Sequence, residues 1–273
     1  MLGAGRRLRK RWRYVGVFAE ELMLCAARVQ VGPFGQTFWA VLDRESGLLG
    51  GRTRTRPPFG RGEVWSEHPD GRSWRIGSSE EQVVTRVESG AVGMSLGFDA
   101  GQWAESVCPN GEGGYVWTRK RIAPVRCDVR LGDGRRLQFS AHGIEDESAG
   151  YHPRHTVWSW SAGVGEATDG RALGWNLVSG VNDPPAGSER ALWIDGVVSE
   201  PGPVSFEEDL SGLELTDGSR LSFTSEAERK AKQNLGFLRS SYRQPFGSFS
   251  GSLDPGTELA WGLGVMEHHD AHW

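Results

Sequence analysis

Apolar and polar residues alternate at period two along much of this chain, the pattern of a strand with one covered face. Val125-Arg126-Cys127-Asp128-Val129-Arg130-Leu131 is the cleanest run. Gly132-Asp133-Gly134 then supplies turn residues, and Arg136-Leu137-Gln138-Phe139-Ser140 alternates again, so the two runs predict a hairpin. The same arrangement recurs at Leu213 to Thr216, Asp217-Gly218 and Arg220 to Thr224. Val83 to Val87 is a short β-branched run, and Ala19 to Val29 reads as a strand. Val157 to Ala162 and Ala172 to Val178 predict two strands around a turn at Asp169-Gly170, and Asp195-Gly196 marks another turn.

Helical periodicity is scarce. Ser225 to Lys232 has a Ser cap followed by helix-forming residues and predicts one short surface helix. Arg52 to Gly62 and Pro184-Pro185-Ala186-Gly187 read as loops. About a dozen short strands without alternating helices exclude a doubly wound α/β fold. The expectation is an all-β protein of two intimately packed antiparallel barrel or sandwich halves, residues 1–127 and 128–273, with at most one or two short helices. Neither a G-x-G-x-x-G after a strand, a phosphate-binding loop, nor a G-x-S-x-G elbow is present.

A chain of 273 residues can bury its own core without metal or disulfide staples. Its 31 basic and 35 acidic side chains lack the surplus of a nucleic-acid binder. Arg6, Arg7, Arg9, Lys10, Arg11 and Arg13 form a local basic run, read as a solvated terminus. Cys25, Cys108 and Cys127 are odd in number and far apart, which fits a reducing compartment. No stretch approaches the roughly 18 apolar residues of a membrane span, and Glu20 and Glu21 interrupt the apolar segment near the start. The expectation is a cytoplasmic protein. Thirty-nine glycines suit tight turns, and 12 tryptophans exceed the needs of an ordinary core, so some suit ligand stacking.

Chemistry concentrates between Ser140 and Ser161. Three His (His142, His152, His155), three acids (Glu145, Asp146, Glu147), Arg154, Tyr151, Trp158 and Trp160 fall in this one stretch. Trp158 and Trp160 share one strand face, whereas Glu145 and Asp146 point to opposite faces if extended, so only one can line a given pocket. A desolvated carboxylic acid holds its proton near neutral pH and can act as a general acid. The bland alternative is a polar loop bonded to itself, with Asp146 capping a turn.

The second cluster is Glu267-His268-His269-Asp270-Ala271-His272-Trp273. Extended, it puts His268, Asp270 and His272 on one face and Glu267, His269 and Trp273 on the other. Readings are a solvated tail, a polar seal on the pocket with Glu267 or His268 as a second acid/base group, or a metal site shared with His152 and His155. The polar seal is preferred, and neither metal nor cofactor is expected.

Other features carry blander readings. Asn176 and Asn182 suit turns, though Asn176 is kept as a candidate ligand contact. Ser188-Glu189-Arg190 reads as a weak surface ion pair, and Trp117-Thr118-Arg119-Lys120-Arg121 as a solvated strand edge. Tyr242 to Gly247 mixes aromatic and polar groups and could border a cavity, with Tyr242 on it.

The series Gly143-Ile144-Glu145-Asp146, Gly150-Tyr151-His152, Arg154-His155-Thr156, Trp158-Ser159-Trp160, Asn176-Leu177-Val178 and Glu267-His268 resembles the bacterial family called domain of unknown function 2804. The resemblance runs from about Trp12 to Trp273. Many members carry several tens of residues before the stretch matched by Trp12-Arg13-Tyr14, so it implies a short form or a truncated start. That family is distantly similar to carotenoid hydratase and tocopherol cyclase-like proteins. The resemblance therefore implies a double lipocalin-type barrel in which an acid near a Trp-rich segment protonates an isoprenoid double bond. Asp146 is the matching position; the Trp of the relatives before that acid is absent, and His142 stands nearby.

Three functions follow as expectations. The first is an enzyme acting by acid catalysis on a hydrophobic small molecule, as hydratase, cyclase or isomerase. Asp146, Glu267 and His268 are its catalytic candidates. His142, Glu145, Tyr151, His152, Arg154, His155, Trp158, Trp160, Asn176 and Tyr242 are its candidate substrate contacts. The second is a non-catalytic lipid binder. The third is carbohydrate recognition or cleavage, which needs an open polar groove.

Overall fold

The computed structural model describes residues 3–4, 7–56, 63–67, 84–110, 113–234 and 239–272. Among them there is no helix, hence none long and apolar enough to cross a membrane. Strands β1 (Gly3–Ala4) and β2 (Arg7–Leu8) pair with each other. The first large sheet comprises β3 (Lys10–Phe18), β4 (Leu22–Val31), β5 (Phe34–Asp43), β6 (Leu48–Arg56), β7 (Val64–Glu67), β8 (Val84–Ser89), β9 (Val92–Phe98), β10 (Ala104–Pro109), β11 (Tyr115–Arg130) and β12 (Arg136–Gly150). Its order is β6-β5-β4-β3-β12-β11-β9-β8-β7, with β10 also on β11.

The second sheet comprises β13 (His155–Ala167), β14 (Ala172–Ser179), β15 (Ala191–Ile194), β16 (Val197–Ser199), β17 (Val204–Phe206), β18 (Gly212–Leu215), β19 (Arg220–Asn234), β20 (Arg239–Asp254) and β21 (Thr257–His272). Its order is β16-β15-β14-β13-β21-β20-β19-β18-β17. Both sheets are antiparallel and curl into half-barrels, as expected of a two-half, lipocalin-like β protein. Residues 127 and 128 lie inside β11, and the chain crosses from one sheet to the other at 151–154.

The pattern of β12 shows how the halves meet. Burial alternates from Arg136 to His142, then Gly143 to Ser148 are all buried. One face of that segment meets the interior of the first sheet and the other meets the second sheet, so strict alternation ends there. Gly143 is required at this seam, because a Cβ would strike the Gly16 carbonyl oxygen on β3. Three apolar cores result. Val15, Leu24, Phe98 and Val125 fill the first half; Trp175, Leu213, Leu221 and Phe249 fill the second. Tyr14, Phe18, Ile144, Trp160, Phe246 and Val265 form the third, between the sheets.

The hairpins at Gly132-Asp133-Gly134 and Asp217-Gly218, and the turns at Asp169-Gly170 and Asp195-Gly196, are present. The three cysteines are buried and unpaired.

Several expectations are corrected. Ser225 to Lys232 is strand, not helix: it belongs to β19 and pairs with β20 across a bulge between Ser225 and Ala227. Tertiary pairing overrides its helix propensity. Arg52 to Arg56 belong to β6 rather than a loop; residues 57–62 lie outside the described ones. Lys10 and Arg13 of the basic run are buried in β3, not solvated; Arg6 lies outside the described residues. Trp117 to Arg121 is no solvated edge. It runs between β10 and β12, and Arg119, Lys120 and Arg121 are all buried.

Candidate active site

A cavity of about 180 Å³ opens between the sheets. Aromatic side chains form one part of its walls: Trp12 and Tyr14 from β3, Phe38 from β5, Trp158 and Trp160 from β13, and Tyr242 from β20. Strand alternation explains the selection. Trp12 and Tyr14, like Trp158 and Trp160, are i and i+2 on one face. Tyr14 meets Trp160 edge-on at 5.4 Å across the halves, and Trp12 lies parallel to Trp158 at 6.4 Å.

Three carboxyl groups, Glu267, Asp146 and Glu189, share this enclosure. Glu267 on β21 is the direct cross-strand partner of Trp160. Its Oε1 accepts the Trp158 indole N–H at 2.9 Å, and its Oε2 accepts the Gln244 amide at 3.4 Å. Gln244 also donates to the Tyr14 hydroxyl at 3.3 Å. Burial raises the Glu267 pKa to about 7, against the opposing pull of the Tyr242 hydroxyl and the Trp158 indole; the charge of Asp146 adds to the rise.

Asp146 lies on β12 opposite Tyr14 and Lys120. Its Oδ2 accepts Lys120 Nζ at 2.9 Å, and Lys120 also reaches Glu189 Oε1 at 3.2 Å. Asn182 donates to Glu189 Oε2 at 2.8 Å. Burial pulls the Lys120 pKa down, but Asp146 and Glu189 more than offset it, so the ammonium is retained. Burial raises the Glu189 pKa while Lys120 opposes it. Asp146 Oδ1 has no hydrogen-bond partner among the described residues.

Two neutral imidazoles also belong to the polar lining. His152 is 1 % exposed and sits 4.7 Å from Trp12. Burial, assisted by the Lys10 charge, drops its pKa to about 3. His269 is likewise depressed to about 3, by burial and then by His268; its Nε2 bonds Ser240 Oγ at 2.7 Å. On the far wall Arg229 lies over Phe38 and Tyr242, 4.1 and 4.9 Å from the ring centres, and donates to Thr53 at 2.7 Å. It joins β19 to the first sheet.

Of the sequence candidates, Asp146, His152, Trp158, Trp160, Tyr242 and Glu267 line this cavity. The others do not. Glu145 projects from the opposite face of β12, where with Glu147 it pairs Arg13, Arg119 and Arg121. Asn176 lies mid-strand in β14 behind the wall, accepting the Trp160 indole at 2.7 Å and donating to the Glu189 carbonyl at 2.8 Å. His268 faces away from Glu267 and bonds Ser159 Oγ at 3.1 Å. His142, Tyr151 and Arg154 are outside the lining, and Tyr151 packs on Tyr115.

His155 pairs with His272 across β13 and β21 and stacks on it at 3.9 Å, with Asp270 Oδ1 2.9 Å from His155 Nε2. These three groups have metal-donor chemistry, but they sit half-exposed, away from the cavity. His152, which the sequence grouped with them, faces the cavity. Trp273 lies outside the described residues.

Lys120, Glu189, Tyr14, Gln244 and His269 are site residues that sequence reading missed. Glu189 is 8 % exposed and no surface ion pair. The only available signal for Lys120 was its register opposite Asp146, which needs the β11–β12 hairpin extended to its far end.

Residues 104–273 match the model of a family described as Domain of unknown function (DUF2804). No curated protein matches the chain. Among solved structures, a protein of Nitrosomonas europaea provisionally designated AttH is similar at 16 % identity and a TM-score of 0.64, over 97 % of this chain and 94 % of that one. Kievitone hydratase from Nectria haematococca is similar at 11 % identity and a TM-score of 0.56, over 95 % and 88 %. These likenesses are of fold.

Proposed function

We infer that this chain, which belongs to the DUF2804 family, is an acid–base enzyme that protonates a carbon–carbon double bond of an apolar small molecule, as a hydratase, cyclase or isomerase. The observation that carries this reading is Glu267: a carboxyl buried among aromatic rings, bonded at both oxygens, with a pKa of about 7. Near neutral pH about half of such groups hold their proton, the balance that general acid catalysis favours. The fold is also one that a hydratase uses.

In this reading Glu267 gives its proton to one alkene carbon. The cation that develops on the other carbon lies against the faces of Trp158, Trp160 and Tyr14, whose π clouds stabilise positive charge. Asp146, fixed through Oδ2 by Lys120, keeps Oδ1 for the closing step. In hydration Oδ1 takes a proton from the water that bonds to the cation. In isomerisation or cyclisation it takes a proton from carbon. The acid and base then exchange their proton with solvent, so atoms and charge balance. Asp146 and Glu267 thus exchange the roles that the sequence suggested.

The test is incubation in D₂O with a panel of small cyclic and open-chain alkenes, followed by mass spectrometry. Turnover puts one deuterium on carbon, with added water for a hydratase and without it for an isomerase or cyclase. Glu267→Gln should lower that rate roughly 10²- to 10⁴-fold. Ligands that bind without any deuterium incorporation would instead identify a non-catalytic binder.

A further inference from the structure

We propose that the substrate is not a pure hydrocarbon but carries a hydroxyl or carbonyl oxygen, and that His152 is the residue that reads it. This rests on the preceding reading that the cavity takes an apolar substrate, and it adds the polar feature that substrate must have. A neutral imidazole has one N–H donor and one nitrogen acceptor. Neither ring nitrogen of His152 has a hydrogen-bond partner among the described residues, although the residue is 1 % exposed.

Leaving both buried without a partner is costly, because each loses the hydrogen bond that water would give it. Among the described residues the neighbours of the ring do not bond its nitrogens: Lys10 bonds the backbone oxygens of His152 and Pro153 at 3.2 and 3.3 Å, and Trp12 makes a tilted ring contact at 4.7 Å. Lys10 therefore holds the segment in place, and His152 is one of the residues that line the cavity. Burial and the Lys10 charge keep the ring neutral, so it matches a hydroxyl, which also donates and accepts, rather than an anion. A carbonyl would satisfy the N–H alone.

The size of the site agrees. A cavity of about 180 Å³ is below the roughly 300–1,000 Å³ typical of drug-sized ligand pockets. It suits a compact ring system with few polar atoms, against which one hydrogen bond weighs heavily.

The experiment compares two probes of nearly equal shape, naphthalene and 2-naphthol, by equilibrium quenching of tryptophan fluorescence. The wild-type protein is expected to bind 2-naphthol roughly 10- to 100-fold more tightly. His152→Phe keeps a flat ring beside Trp12 and should bind both probes alike. His152→Gln retains one donor and one acceptor and should keep most of the preference, which covers the case in which the Phe variant does not fold. Equal binding of both probes by the wild type, or a preference that survives in His152→Phe, overturns the assignment while leaving the apolar cavity intact. Binding of neither probe overturns the cavity reading, and this inference with it.

Discussion

Glu267 accepts the indole N–H of Trp158 at 2.9 Å diagonally across β13 and β21, while Trp160 stands directly opposite the acid. One strand face thus supplies both the bond that orients the carboxyl and the aromatic surface that excludes water from it. The acid is placed by register, and its neighbours follow from the period-two geometry of two adjacent strands.

This burial sets a pH dependence of stability. The Glu267 pKa is about 7 in the folded protein, against an ordinary value of 4.5. Between those values the native state holds a proton that the unfolded chain has lost, so stability falls as pH rises from about 4.5 to 7. The fall from this one group is about 3 kcal/mol. Glu267→Gln should therefore be more stable than wild type at pH 8, by up to that amount, with the gap gone near pH 4. Urea unfolding at both pH values checks this, and a gap independent of pH would contradict it.

Lys120 lies between Asp146 and Glu189 in a site where all three are buried. Lys120→Met leaves two carboxylates facing each other without a cation. A loss of about 3–5 kcal/mol at pH 7.5 is expected. Adding Glu189→Gln should recover part of it, and denaturant midpoints of the single and double variants measure the coupling.

Asn176 touches no part of the cavity but holds two of its walls, Trp160 and the Glu189 segment. Asn176→Ala should cost about 1–3 kcal/mol and weaken probe binding through loss of Trp160 order. A variant that loses stability with unchanged probe affinity would show that Trp160 is held by packing alone.

Gly163 on β13 has no room for a side chain, since a Cβ there would overlap the Trp175 ring and crowd the Leu263 carbonyl. Gly50 on β6 has nothing within 4 Å of that position. Gly163→Ala should lose about 1–3 kcal/mol, and Gly50→Ala should be close to neutral or slightly stabilising. Thermal unfolding of the two variants compares them directly.

The hairpin at Gly132-Asp133-Gly134 was legible because each flanking strand has one covered face there and keeps its alternation. The buried part of β12 was not, because Gly143 to Ser148 is covered on both faces and period two disappears. Asp146 and Glu267 stood out as acids among aromatics. Lys120 and Glu189 did not, because a buried ion pair spanning 69 positions leaves no local pattern. The helix expected at Ser225 failed for a similar reason: its residues favour a helix locally, but β20 offers a ladder along the whole segment.

The proposed acid chemistry requires Glu267 to carry a proton near neutral pH inside the cavity. The direct measurement is a ¹³C NMR titration of the side-chain carboxyl carbons, with the Glu267 signal assigned by its loss in Glu267→Gln. A midpoint near 7 is the result expected of a general acid in this site. A midpoint near the ordinary carboxylate value of 4.5 would mean that Glu267 is ionised when the protein works and is not its general acid.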